Sequence, residues 1–199
     1  MGAGAIGKSI SGYIFNSLGY DVKFGEIDND VITDINKRSA IFEMRKLYKK
    51  LGKDPNRYRP SAEALCRRIL HDKDLYKINT MVDIINLISI KTGFSIGGFD
   101  CEKINGNLNL GVGVAGEKYE GIGRGLLNIE GLPVYRDNTG GIGTPTSDEE
   151  RTKIDVTTKK LLMIINSAAG SKGLDVSSHL ATHLLTHFVQ AKDIEFFQI

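Results

Sequence analysis

At Gly93 the texture of this 199-residue chain changes, and the order of the two textures limits the folds open to it. From Ser39, a natural N-cap, apolar residues recur at Ile41, Met44, Leu47, Tyr48 and Leu51, the spacing of a helix with one buried stripe, and Gly52 supplies the stop. The loop KDPNRYRP leads to Ser61, which can cap a second helix carrying Leu65, Ile69 and Leu70. Asn79 is placed to cap a third, with Val82, Ile85 and Ile88 inside and Gly93 closing it. Beyond Gly93, short runs (LNLGVGV, GLPVYRD, LLMIINS) are separated by turn-forming NGN and DNTGG, which predicts strands. A last helix is predicted from Val176 to Val189, followed by an edge strand in IEFFQI. Helices first and strands later argue for an α+β fold rather than α/β, and no internal repeat is present.

The length suffices for one substantial core, or for one domain with an appendage. No apolar run reaches the length of a bilayer span and no signal-peptide pattern opens the chain, so no membrane partner and a cytoplasmic location are expected. Cys66 and Cys101 lack C-x-x-C spacing and read as packing residues. Net charge is only +2, but its distribution is uneven: Arg45 to Arg68 holds nine Lys or Arg against Asp54 and Glu63. Such a concentration suits a polyanion, while exposed helix faces carry Lys and Arg for solubility alone.

The N-terminus satisfies two phosphate-loop patterns at once, G-x-G-x-x-G at Gly2, Gly4 and Gly7, and G-x-x-x-x-G-K-S from Gly2 to Ser9. Both need a strand feeding the loop, and only Met1 precedes it. Acids at Glu26 and Asp28 fall where a ribose-binding carboxylate would stand. Through GAGAIG, LGYDVKFGEIDND and VITDIN, residues 1–38 resemble the start of a mannitol-1-phosphate dehydrogenase type Rossmann domain. No alternation of strands and crossover helices follows, so a truncated or fused fragment without a working cofactor site is expected, and no cofactor is assigned.

The segments LYKKLGKDPNRYRPSAEALCRRIL, INTMVDIINLISIKTGFSIGGFD and DEERTKIDVTTKKLLMIINSAAG, in that order, resemble the B3/B4 domain, the aminoacyl-tRNA editing module of the bacterial phenylalanyl-tRNA synthetase β subunit, and more closely its free-standing relatives. The similarity covers about residues 39–199. It implies a sandwich-like β core flanked by helices, and a pocket for the aminoacylated 3′ end of tRNA, with no DNA partner. An aminoacyl ester is already activated, so its hydrolysis needs a positioned water, donors for the oxyanion and at most a general base.

Carried over residue by residue, the family motif matches Asn79, Asp83 and Asn86, with a helix cap and a polar pair as the structural alternative. Arg68, in the family's Arg-Arg, is a candidate for phosphate or ester contact. Gly97 stands where the synthetase domain has a His implicated in editing, and Gly97 with Gly98 would admit a close ligand or form a bulge. Asn166 is the nearest polar residue where the synthetase has a Glu that recognises the tyrosine hydroxyl, so tyrosine selectivity is not expected. The substrate-binding candidates are therefore Arg68, Asn79, Asp83, Asn86, Gly97, Gly98 and Asn166. The RNA-binding candidates are Lys46, Lys49, Lys50, Lys53, Arg57, Arg59 and Arg67.

Asp148 and Arg151 are read first as a local pair at a turn start, with the border of the pocket as the alternative. His179, His183 and His187 line one side of the last helix beside an apolar stripe, and no metal site is assigned to them. The expectation is a tRNA-binding protein related to the synthetase editing domain, able to act as a trans-acting deacylase. The alternative is a non-catalytic RNA-binding or interaction module carrying a non-functional dehydrogenase-like remnant.

Overall fold

The computed structural model describes residues 34–71, 73–75 and 77–199. The phosphate-loop patterns and most of the dehydrogenase-like segment lie outside these residues. Four helices, α1 (Ser39–Lys50), α2 (Ser61–Leu70), α3 (Thr80–Thr92) and α4 (Leu174–Val189), surround a core of short antiparallel strands. The strands are β1 (Ser95–Asp100), β2 (Asn109–Val112), β3 (Glu120–Gly121), β4 (Gly125–Leu126), β5 (Pro133–Arg136), β6 (Gly141–Gly143) and β7 (Leu161–Asn166). They form the pairs β1–β7 and β3–β4 and the three-stranded sheet β2–β5–β6. The fold is α+β, with helices gathered largely before the strands.

Two apolar clusters hold these layers together. In one, α2, α3 and α4 pack with the β1–β7 pair around Ile84, Ile88, Phe94, Ile96, Ala181 and Leu184. In the other, Met44 and Tyr48 of α1 pack onto Tyr119, Ile129, Leu132 and Val134 beneath the three-stranded sheet. Helix endings follow local chemistry. Asn79 Oδ1 accepts the Val82 N–H at 3.0 Å, and Gly93 ends α3 at φ +81°, where a side chain would be strained.

Ser39 and Ser61 do not cap. Each is the first helical residue, and Arg38 and Pro60 occupy the cap positions without a side-chain bond. The Ser61 N–H instead reaches the Pro145 carbonyl at 2.8 Å. IEFFQI is not an edge strand either. Gln190 and Asp193 take left-handed backbone conformations, turning the chain after α4, and Phe196, Phe197 and Ile199 stand exposed. Ahead of α1, Ile35 is fully buried among the helices, and the Arg38 guanidinium donates to the Ile90 and Lys91 carbonyls. Residues 34–38 therefore fold with the unit that follows them.

Candidate functional site: an apolar cleft with a buried carboxyl

A cleft of about 390 Å³ opens between the first turns of α3 and β1 on one side and loops from the β-rich half on the other. Helical spacing brings Asn79, Val82 and Asn86 to a common face, because residues three and four apart share one side of a helix. Ile96 and Gly98 of β1, Ile122, Asp148 and the segment from Lys153 to Val156 complete the lining.

Asp148 is the chemically distinctive member. Its Oδ2 accepts the Gly98 N–H at 3.1 Å across fifty residues of sequence, and its Oδ1 has no hydrogen-bond partner among the described residues. Glycines make room for it: a Cβ on Gly97 would stand 2.9 Å from Oδ1, and one on Gly143 would stand 3.3 Å away. Burial pushes the carboxyl from its ordinary value of 3.8 up to about 7, with the Gly98 N–H pulling the other way.

A rigid turn delivers this carboxyl. Thr144 Oγ1 accepts the N–H groups of Thr146 and Ser147, and the Ser147 carbonyl accepts the Tyr119 hydroxyl at 2.6 Å. The turn is tied to the basic half through a 2.8 Å hydroxyl bond between Tyr48 and Thr146, and through the Ser61 to Pro145 bond. The local Asp148–Arg151 pair is not formed. Arg151 forks onto both oxygens of Asp137 at 3.0 Å, leaving Asp148 to the cleft. Burial works against ionisation of Asp137, but Arg151 and three backbone N–H groups outweigh it and hold the carboxyl at about 2.

The Asn86 carboxamide, which lines the same cleft as Asp148, has no hydrogen-bond partner among the described residues. A carboxyl that titrates near neutrality and an amide available to donate are the two groups that water activation and oxyanion stabilisation require.

A family model, that of the B3/4 domain, matches residues 43–189. The chain belongs to the B3/4 domain family. The B3/4 domain is a module related to the tRNA-binding region of the phenylalanyl-tRNA synthetase β subunit. No curated protein matches the chain.

Within this B3/4 domain the sequence candidates separate. Asn79, Asn86 and Gly98 meet Asp148 in the cleft, and Gly97 lies behind its carboxyl. Asp83 is half-buried, outside the lining; burial raises its pKa, opposed by the Ile78 N–H and Lys77. Asn166 is occupied elsewhere: its Oδ1 accepts the Tyr135 hydroxyl at 2.7 Å, and its Nδ2 donates to the Ser95 carbonyl at 2.9 Å. Arg68 Nε donates to the Asp74 carbonyl.

The basic candidates also divide. Lys46, Lys49, Lys50, Arg57 and Arg59 are exposed. Arg67 binds the fully buried Glu63 at 2.8 Å, as Arg45 does at 2.7 Å. Lys53 is buried, donating to the Asn128 and Glu130 carbonyls with its ammonium 3.8 Å from the Tyr58 ring centroid, and burial lowers its pKa. His179, His183 and His187 are exposed along α4. Among the described residues no group of three His, Cys, Asp or Glu is arranged to hold a metal, and no helix is long and apolar enough to cross a membrane.

Proposed function

We propose that this B3/4 domain binds tRNA and that its cleft receives the aminoacylated 3′ end, where the ester is hydrolysed in trans. The observation that carries this reading is the Asp148 carboxyl, titrating near 7 in the wall of a largely aliphatic cleft that it shares with Asn86, whose carboxamide has no partner among the described residues. In the reaction the Asp148 carboxylate takes a proton from water as its oxygen attacks the ester carbonyl carbon. Asn86 donates to the oxyanion, and Asn79 and Gly98 shape the floor. Collapse breaks the bond to the ribose oxygen, which recovers the proton from Asp148, releasing the free amino acid and uncharged tRNA. A base with a pKa near the working pH is the efficient one for such a transfer.

Lys46, Lys49, Lys50, Arg57 and Arg59 supply the RNA-facing charge. They sit on α1 and the loop that follows it, and α1 and the start of α2 are bonded to the turn bearing Asp148. Residues 34–199 act as the working unit, since Ile35 and Arg38 are built into it, and the dehydrogenase-like sequence ahead of residue 34 is an appended remnant outside the chemistry. The cytoplasm, where charged tRNA circulates, is the setting this reading implies.

A second reading is favoured by Gly97 and Asn166. Gly97 replaces the family's editing His, and Asn166 brings no acid and is committed to Tyr135 and Ser95. On that reading the module binds RNA without cleaving an ester. Incubation of the chain with a panel of correctly and incorrectly charged tRNAs separates the two. Selective ester loss supports deacylation, whereas salt-sensitive tRNA binding without ester loss supports the binding module.

A further inference from the structure

The lips of the cleft bear on which esters it accepts. Val156 is 88% exposed and Ile78 is 56% exposed, and both line the cleft. Single exposed aliphatic residues are ordinary on protein surfaces. Here, however, the two border a single cavity that also gathers the aliphatic side chains of Val82, Ile85, Ile122 and Ile154, with Asn79, Asn86, Asp148, Lys153 and Asp155 as its polar members.

Val156 is also held in place. Asp155 Oδ1 accepts the N–H and the hydroxyl of Thr157, at 2.8 and 2.5 Å, and its N–H donates to Thr158 Oγ1 at 3.0 Å. Lys103 anchors the same carboxylate at 2.7 Å, and the Asp155 pKa is lowered by this lysine first and by Thr157 second. A fixed turn thus presents an apolar branched side chain to water beside the cleft.

Building on the deacylase reading, we infer that Ile78 and Val156 are specificity-determining jaws which close over the side chain of an aliphatic aminoacyl group. The substrate class is then an ester of leucine, isoleucine, valine or methionine, rather than of glycine, an acidic residue or tyrosine. An aliphatic group reaching the jaws removes the exposed surfaces of both residues from water. Each methylene-equivalent so buried is worth about four-fold in affinity. A glycyl ester covers neither jaw, an acidic side chain would meet two carboxyls, Asp148 and Asp155, against the single ammonium of Lys153, which Glu150 already holds, and a tyrosyl hydroxyl would be set among aliphatic side chains.

The test uses the full chain and stable 3′-aminoacylamido-adenosine probes carrying leucyl, glycyl, aspartyl or tyrosyl groups, with affinities read by calorimetry. The leucyl probe is expected to bind at least about ten-fold more tightly than the glycyl probe. Val156→Ser and Ile78→Ser should each lower leucyl affinity by about four-fold or more, leaving glycyl affinity and the melting temperature unchanged. Equal leucyl and glycyl affinities, a preference for tyrosyl, or serine variants that keep the full leucyl preference would overturn the inference while leaving the deacylase reading intact. A folded chain that binds no probe would remove both.

Discussion

Replacing Asp148 by Asn should make the protein more stable, and increasingly so as the pH rises. The wild-type carboxyl is raised from 3.8 to about 7 by burial, so between these values the folded state holds a proton that the unfolded state has lost. The contribution of this one group to stability is therefore greatest below about pH 4, falls as the pH climbs toward 7 and levels off above it. At 1.36 kcal/mol per pKa unit, the full penalty of ionising this partly buried acid is at most about 4 kcal/mol. The advantage of the neutral amide should grow by about 2–3 kcal/mol from pH 5 to pH 8. Asparagine can still accept the Gly98 N–H, so the packing is preserved and the charge alone is removed. Urea unfolding of both proteins at pH 5, 6, 7 and 8 measures the difference, with every other titrating group cancelling between them. A difference that does not change with pH would refute the assignment of a raised pKa to Asp148.

Other perturbations test the surrounding framework. Glu63→Gln leaves Arg45 and Arg67 without their buried anion and should cost about 3 kcal/mol in urea unfolding; a loss under about 0.5 kcal/mol would contradict the anchoring role. Gly113→Ala sets a Cβ 2.0 Å from the Ile129 carbonyl oxygen, a backbone atom that cannot swing away, and should lower stability by about 2 kcal/mol or more in the same assay. Asn79→Ala removes the cap of α3 and should cost about 1 kcal/mol, visible as a lower melting temperature. Replacing Lys46, Lys49 and Lys50 together by Ala should weaken tRNA binding and flatten its salt dependence without changing the melting temperature, as measured by filter binding across salt concentrations.

The helical half of the fold was legible because its signals are local. The apolar spacing of Ile41, Met44 and Tyr48, the cap at Asn79 and the stops at Gly52 and Gly93 all act within a few residues. Where the outcome depended on distant partners, the sequence was less informative. IEFFQI has the composition of a strand, yet a strand needs a free edge to pair with, and the turn at Gln190 leads the chain away. Three of the nine cations of the basic stretch turned inward, because the fully buried Glu63 draws Arg45 and Arg67 to it and Lys53 finds carbonyls some seventy-five residues away. The one acid embedded in SAEALCRR was the available sign of that.

The candidate site shows the same division. Asn79, Asn86 and Gly98 could be placed from helix spacing and family motif. Asp148 stood undistinguished among the acids of SDEERTK. Its difference from its neighbours lies in a bond to Gly98, and in space left by Gly97 and Gly143, none of which adjoins it in sequence. The proposed jaws were hidden for a similar reason, since nothing local brings Ile78 and Val156 to one cleft.

The central claim is that Asp148 performs ester hydrolysis in this cleft, and single-turnover ester loss as a function of pH, from whichever charged tRNA of the panel loses its ester fastest, tests it most directly. The account predicts a rate that rises with pH and levels off with an inflection near 7, lost together with at least a hundred-fold of the rate in Asp148→Asn while tRNA binding persists. A rate in the Asn variant equal to that of the wild-type protein, or no turnover of any charged tRNA in the panel above the uncatalysed hydrolysis by a folded protein that binds tRNA, would contradict it.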